Sequence, residues 1–492
     1  MDHRTSWPRG KGLGGSSLIN MMVFTRGNPI DYDRWAAMGN KGWSHEDVLP
    51  YFVGFEDAQI RYKDKELRGT HGEVTVQDAS YRTRSADAFI KAGQEVGHSY
   101  VDYNGRKQIG ISYVQATTRR GLRCSGEKAF LRPAKRRSNL KIRPLSFVTK
   151  VLIQDGVAKG VEYVRNGMTH MVKASKEVIL SAGAINSPQL LMLSGVGPKE
   201  ELQRLGIPLV KDLPVGQQLI DHVSFPGLSI KVNAKISFQT LLTLNPLSFG
   251  ELYLNGTGPL SCLGTVEAIS FLKTPISKDP DPNYPDVELI FSSSQIQDDI
   301  SGLTKVSMRI SDKVYNTVFK PLRGHNVLTV FPTVLHPKSR GHLKLRSRDP
   351  YHHPILKGNY YTDTENEDVK TMIAAIREAQ KIFKAPTFQK YEAKIVTTKI
   401  PGCEDHEFDS DSYWECALRA IPISLFHQMG TCKMGSKEDK EAIVDDQMQV
   451  YGIENLRVID ASIIPLPISG HTNIPSFMIG AKGADLIKNK WS

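Results

Sequence analysis

The chain has 492 residues, 40% of them hydrophobic and 23% charged, values close to soluble globular averages that exclude a disordered or fibrous chain. At roughly 150 residues per unit this length holds about three units, or two interlocked domains around large cores. Sixty-three Lys and Arg against 52 Asp and Glu leave a formal charge of +11, but the excess is dispersed. Its main cluster, Arg132, Lys135, Arg136, Arg137, Lys141 and Arg143, has no interleaved aromatics and is cut by Pro133 and Pro144, so it reads as solvated surface and implies no nucleic-acid partner.

The opening residues, MDHRTSWPRGKG, lack the apolar stretch and cleavage site of a signal peptide. No run of about 18 apolar residues occurs further on, so no membrane span is expected. Gly10, Gly12 and Gly15 fit the dinucleotide fingerprint G-x-G-x-x-G, with Asp31 and Asp33 downstream. That fingerprint needs an apolar strand to aim the loop at a pyrophosphate. Thr5, Ser6, Trp7, Pro8 and Arg9 form none, so the loop is not read as a Rossmann turn.

Residues 145 to 165 predict two strands around the hairpin turn Asp155-Gly156. Lys176 to Ser181 predicts a strand, Ala182-Gly183-Ala184 a tight turn, and Ser187-Pro188 an N-cap followed by Pro at the first helical position. From about 225 to 335 the pattern is irregular and Pro-rich, and is assigned to a second domain. Gly341 to Arg346 alternates like a half-buried strand. Val369, Met372, Ile373, Ile376, Ile382 and Phe383 mark one face of an amphipathic helix suited to packing on a sheet.

Cys124, Cys262, Cys403, Cys416 and Cys432 are few and odd in number, and define neither a disulfide framework nor a zinc site. Cys403 and Cys416 are able to pair, but spacing does not decide it. Asn255-Gly256-Thr257 is a glycosylation sequon if the protein is secreted.

Three stretches carry a family resemblance. PRGKGLGGSSLINMMVFTRGNPIDYDRW (8 to 35) resembles the first signature of the glucose-methanol-choline oxidoreductases, and GAINSPQLLMLSGVG (183 to 197) resembles the second. HQMGTCKMG (427 to 435) and LRVIDASIIPLPISGHTNIPSFMIGAKGADLI (456 to 487) resemble the family's catalytic C-terminus. The likeness runs from Pro8 to Ile487, nearest to the insect glucose dehydrogenase-like branch.

The resemblance implies FAD as cofactor, while Cys432, five positions after His427, has no second ligand pair beside it, so no metal is expected. The resemblance implies that Gly14 and Gly15 let the flavin approach closely, that Ser16 contacts the cofactor and with Ser17 caps the next helix, and that Asn20, Met21, Met22 and Val23 line the flavin. It further implies that VGQQLIDH (215 to 222) lies near the flavin, that Val148 contacts the adenine side, that Asp460 and Ala461 touch the cofactor, and that Asn473 and Pro475 approach its ring. His427 and His471 match the family's paired catalytic positions. Oxidising an alcohol removes a hydroxyl proton while a hydride leaves for flavin N5, and an imidazole suits the role of base. His427 is expected to be that base. His471 is expected to orient the alcohol and, when protonated, to stabilise developing negative charge.

The expected fold is an α/β FAD-binding domain interleaved with an α+β substrate domain on an antiparallel sheet. Residues 1–222 and 336–482 are assigned to the family's N- and C-terminal regions, and 223–335 to a substrate segment. Family members begin with a strand, a true G-x-G-x-x-G loop, a helix and a second strand, which this sequence does not show. The expectation is therefore a Rossmann-like unit lacking its first βαβ element. The expected activity is oxidation of a small alcohol or sugar, with quinone or dioxygen as electron acceptor. The alternative is an FAD-free binding paralogue on the same scaffold. The insect branch implies an extracellular full-length protein.

Overall fold

The segments Val266–Leu272, Val287–Ser292 and Asn326–Val334 are rich in β-branched and aromatic residues and buried along nearly their whole length, which favours strands covered on both faces. In a computed structural model that describes residues 4–294, 296–298 and 302–492, they form the centre of an eight-stranded antiparallel sheet. Its order is Lys394–Ile395, Leu228–Val232, Asn326–Val334, Val287–Ser292, Val266–Leu272 and Gly110–Tyr113, with Val223–Ser224 bridging Asn326–Val334 to Ile423–Ser424. Ile290 pairs with Ile269 on one side and Phe331 on the other.

The stretch expected to be irregular thus supplies the central strands. Strands buried on both faces do not alternate, and Pro332 lies inside one of them, opposite Leu289, where proline ordinarily argues against a central strand. Helix Glu367–Phe383 lays Val369, Met372, Ile376, Ile382 and Phe383 into the core that covers this sheet, as its periodicity predicts. Cys403 and Cys416 form a disulfide across 13 positions, tying a loop to helix Asp411–Ala420.

A second core gathers residues from Phe24 to Ile479. Phe147–Gln154 and Val157–Arg165 pair antiparallel through Asp155 and Gly156, both at positive φ, as expected. A third strand, Met168–Lys173, comes after a like turn at Asn166-Gly167. Val178–Leu180 pairs in parallel with Leu456–Val458 and leads into helix Gly183–Leu193. The expected strand at 341–346 is shorter, His342–Lys344, paired with Ile355–Lys357.

Ser187 is not an N-cap. The helix starts four residues earlier, at Gly183 with φ +83, while the Ser187 hydroxyl accepts from Ala182 N and donates to Asp460. Pro188 therefore lies inside the helix and cannot donate to the carbonyl of Ala184. The Thr431 hydroxyl takes that carbonyl at 2.6 Å, fastening the helix to the 427–435 segment.

No strand occurs between Arg4 and Gly10, which agrees with rejecting Gly10–Gly15 as a Rossmann loop. Asp31 instead closes a capping box with Asn28 on helix Pro29–Ala37.

Candidate active site

His427 comes just after the edge strand Ile423–Ser424, and its main chain is held by Asp221. Asp221 Oδ1 accepts from His427 N at 2.9 Å, and Oδ2 accepts from Ser424 Oγ, Tyr360 OH at 2.6 Å and Gln428 Nε2 at 3.0 Å. Burial pushes the Asp221 carboxyl up to about 6, with these donors working against the rise. His471 precedes the terminal helix Asn473–Trp491. Its N–H donates to Thr25 Oγ1 at 2.6 Å. Gly470 allows that approach, since a Cβ there would lie 2.8 Å from the same oxygen.

The two histidines meet. His471 Nδ1 lies 3.1 Å from His427 Nε2, and His471 Nε2 lies 3.0 Å from Glu288 Oε1. On the other side, His427 Nδ1 lies 2.9 Å from His222 Nδ1, whose Nε2 is 2.9 Å from the carbonyl of Leu335. Burial, then the neighbouring His471 and His222, push His427 well below the ordinary histidine range. Burial and His471 also take His222 down to about 3. Both rings are neutral at neutral pH, which a base for alcohol oxidation requires.

Sequence reasoning missed His222, Asp221 and Glu288. His222 ends the VGQQLIDH stretch without a signal of its own. Glu288 had one: it is a lone carboxylate in the apolar strand Val287–Ser292, 1% exposed, and such a group needs a partner.

The residues expected around the flavin fall on three stretches, 14–23, 460–461 and 473–475, with Val148 elsewhere. Arg9 hydrogen-bonds Asn186 of helix Gly183–Leu193, and Thr25 bonds His471, so the 9–25 segment runs from that helix to the histidine pair. Gly14 has φ +104 and Gly15 φ +56, and a Cβ on Gly15 would meet no atom within 4 Å. Ser16 and Ser17 do not cap a helix. Ser16 Oγ accepts from Gly10 N, and Ser17 Oγ donates to Gly14 O and accepts from Gly126 N. Both serines sit inside the short 3-10 turn Gly15–Leu18, which has no side-chain cap.

Asn20 Oδ1 accepts from Arg123 at 2.7 Å and from Met22 N, Met21 is exposed, and Val23 is buried and bridged to Ala116. Asp460 accepts from Gly183 N at 2.9 Å and from Ser462 N, and Ala461 opens a short turn. Asn473 and Pro475 lie in the first turn of the terminal helix, whose N-cap, Thr472, makes no side-chain cap bond. Val148 lies on a separate element, the three-stranded sheet, opposite Tyr163. Gly15, where a Cβ would meet no protein atom, and a 19-residue helix with no side-chain cap on its N-terminus fit a flat cofactor with acceptor groups on its ring, whereas Gly14 packs against Glu127.

Cys432 is buried, and its N–H donates to Ser462 O. Among the described residues no helix is long and apolar enough to cross a membrane.

The comparisons agree with this architecture. The GMC oxidoreductase family profile matches residues 1–224 and again 337–480. Glucose dehydrogenase [FAD, quinone] of Drosophila pseudoobscura pseudoobscura is 39% identical over 496 residues, spanning 100% of this chain and 76% of that protein. Human mitochondrial choline dehydrogenase is 37% identical over 493 residues, 98% of this chain and 76% of that protein. The structure of formate oxidase from Aspergillus oryzae RIB40 superimposes with a TM-score of 0.84 at 26% identity, covering 98% of this chain and 85% of that one. The chain belongs to the GMC oxidoreductase family of FAD-dependent enzymes, with an FAD-binding α/β domain and a substrate domain.

Proposed function

We propose that this chain oxidises the hydroxyl of a small alcohol or sugar at the His427–His471 pair and passes the electrons to a quinone or to dioxygen. The observation that carries the proposal is the 3.1 Å contact between His427 Nε2 and His471 Nδ1, with His427 buried and held neutral. FAD, when bound, supplies the hydride acceptor. Gly14, Gly15, Ser16, Asn20 to Val23, Asp460, Ala461, Asn473 and Pro475 are the residues that would hold it, and Val148 is retained as the adenine-side contact by resemblance alone.

The substrate hydroxyl exchanges for the direct histidine contact. It donates to His427 Nε2 and accepts from His471 Nδ1–H. His427 takes the hydroxyl proton and is then an imidazolium. Its Nδ1–H remains bonded to His222. His471, paired with Glu288, keeps a proton facing the substrate oxygen and stabilises negative charge as it develops. The names of the relatives support the donor class: a glucose dehydrogenase with quinone as acceptor, and oxygen-dependent choline dehydrogenases.

In flavin-loaded protein, we expect His427→Ala to slow flavin reduction by a good alcohol substrate about a hundredfold or more, the usual size of a general-base contribution. Flavin content should be unchanged. Stopped-flow reduction at the unaltered rate would exclude His427 as base.

A further inference from the structure

We infer that His222 is a positioning residue that fixes the base on the Nε2 atom of His427. The inference rests on the reading of His427 as base and adds what makes that ring present a bare nitrogen to the substrate. Its ground is the placement of protons along one row of contacts.

The carbonyl of Leu335 can only accept, so His222 Nε2, 2.9 Å away, carries a proton. His222 is 1% exposed, in contact with His427 and near His471, so a second proton on its ring is disfavoured by burial and by like charge. Its Nδ1 is therefore bare. Across the 2.9 Å contact, His427 Nδ1 must supply the hydrogen. A neutral His427 protonated at Nδ1 is bare at Nε2, the atom facing His471. The hydrogen bond to the Leu335 carbonyl thus sets the tautomer of two rings in series, with the Ile468 carbonyl also acting on the His222 ring.

Asp221 and His222 divide the work on one residue. Asp221 accepts the His427 main-chain N–H, which fixes where the residue sits. His222 accepts from its ring, which fixes where the proton sits. Removing the His222 acceptor leaves a buried N–H without a partner. The ring escapes that cost by moving its proton to Nε2, where the lone pair is lost.

The test uses flavin-loaded protein and three variants. His222→Leu should lower the limiting rate of flavin reduction about a hundredfold, as loss of general-base action would, with KM within a few-fold. His222→Asn places an amide oxygen near the position of Nδ1 and should restore the rate to within about tenfold of wild type. Ring 15N spectra of histidine-labelled protein, with His427 assigned by its absence in His427→Ala, should show protonation at Nδ1 in wild type and His222→Asn, and at Nε2 in His222→Leu.

An unaltered rate in His222→Leu, equal losses in the Leu and Asn variants, or a wild-type His427 protonated at Nε2 would each overturn the inference. The last readout needs no altered His222, so it stands even if His222→Leu does not fold. If His427→Ala itself reduces flavin normally, the reading of the base fails. If His427→Ala is slow while His222→Leu is not, only the role of His222 fails.

Discussion

His471 contributes two different contacts through its two nitrogens, and replacements separate them. Nδ1 faces His427 and, in the proposed reaction, the substrate oxygen; Nε2 faces Glu288. An asparagine keeps a donor close to the first contact and loses the second, whereas alanine loses both. We expect His471→Asn to reduce turnover about tenfold and His471→Ala about a hundredfold or more, within the range of a lost transition-state hydrogen bond. Steady-state rates on one substrate, compared at equal flavin occupancy, provide the check. Equal rates in all three forms would mean that this side chain does not touch the reaction. His427 and His471 were legible because they stand inside extended motifs, 44 positions apart by subtraction (471 minus 427). His222 and Glu288 were not, because each reaches the pair through folding: Glu288 lies 183 positions from His471 and His222 lies 205 from His427. The apolar strand around Glu288 marks it as a buried carboxylate that needs a partner, but no local pattern names that partner.

At the level of elements, reading was reliable wherever one periodicity acted alone. The hairpin at Asp155-Gly156 and the amphipathic helix ending at Phe383 were both foreseen, since turn chemistry and a half-buried face leave their marks locally. Ser187-Pro188 misled because a good local start signal was overridden by two tertiary partners, Asp460 for the hydroxyl and Thr431 for the carbonyl that proline leaves free. The central strands were hidden by being covered on both faces. The disulfide belongs to this scale as well. Cys403 and Cys416 enclose a short loop, and a bridge across about 15 residues stabilises by roughly 3 kcal/mol in the chain-entropy account. We expect Cys416→Ser to lower the urea midpoint by a corresponding amount without changing flavin reduction, because helix Asp411–Ala420 packs against the long helix and the sheet core rather than on the histidine row. An unchanged midpoint would mean that the bond does not form in solution.

The whole molecule draws its antiparallel sheet from strands as far apart as Gly110–Tyr113 and Ile423–Ser424, and this interleaving buries an unusual set of titratable groups. Three are histidines. Burial takes His222 and His336 from an ordinary 6.5 to about 3 and holds His427 well below 6.5. Unfolding releases them to 6.5, so the unfolded chain binds their protons first, and the stability they contribute is lost as pH falls from about 6.5 toward about 3. Three carboxyls act in the opposite sense. Burial raises Asp31 and Asp221 from 3.8 to about 6 and Glu267 from 4.5 to about 7, so the folded chain binds those protons first. Their contribution is full below the unfolded values and is lost as pH rises through 6 and 7. Between about pH 6 and about pH 4.5 the two sets balance, three protons gained by the unfolded chain against three held by the folded one. Below about pH 4 these three carboxyls are protonated in both states and, of this set, only the histidines differ, while paired surface carboxylates such as Asp409 and Glu367, held below their ordinary values, add to the fall. We expect the thermal unfolding midpoint, at constant ionic strength, to change little from pH 6 to pH 4.5 and to fall steeply below about pH 4. A decline that begins at pH 6.5 and continues evenly would mean that the buried carboxyls stay ionised. A midpoint that holds to pH 3 would mean that the histidines already carry charge in the folded protein, and a charged His427 would have no lone pair with which to take a proton from an alcohol.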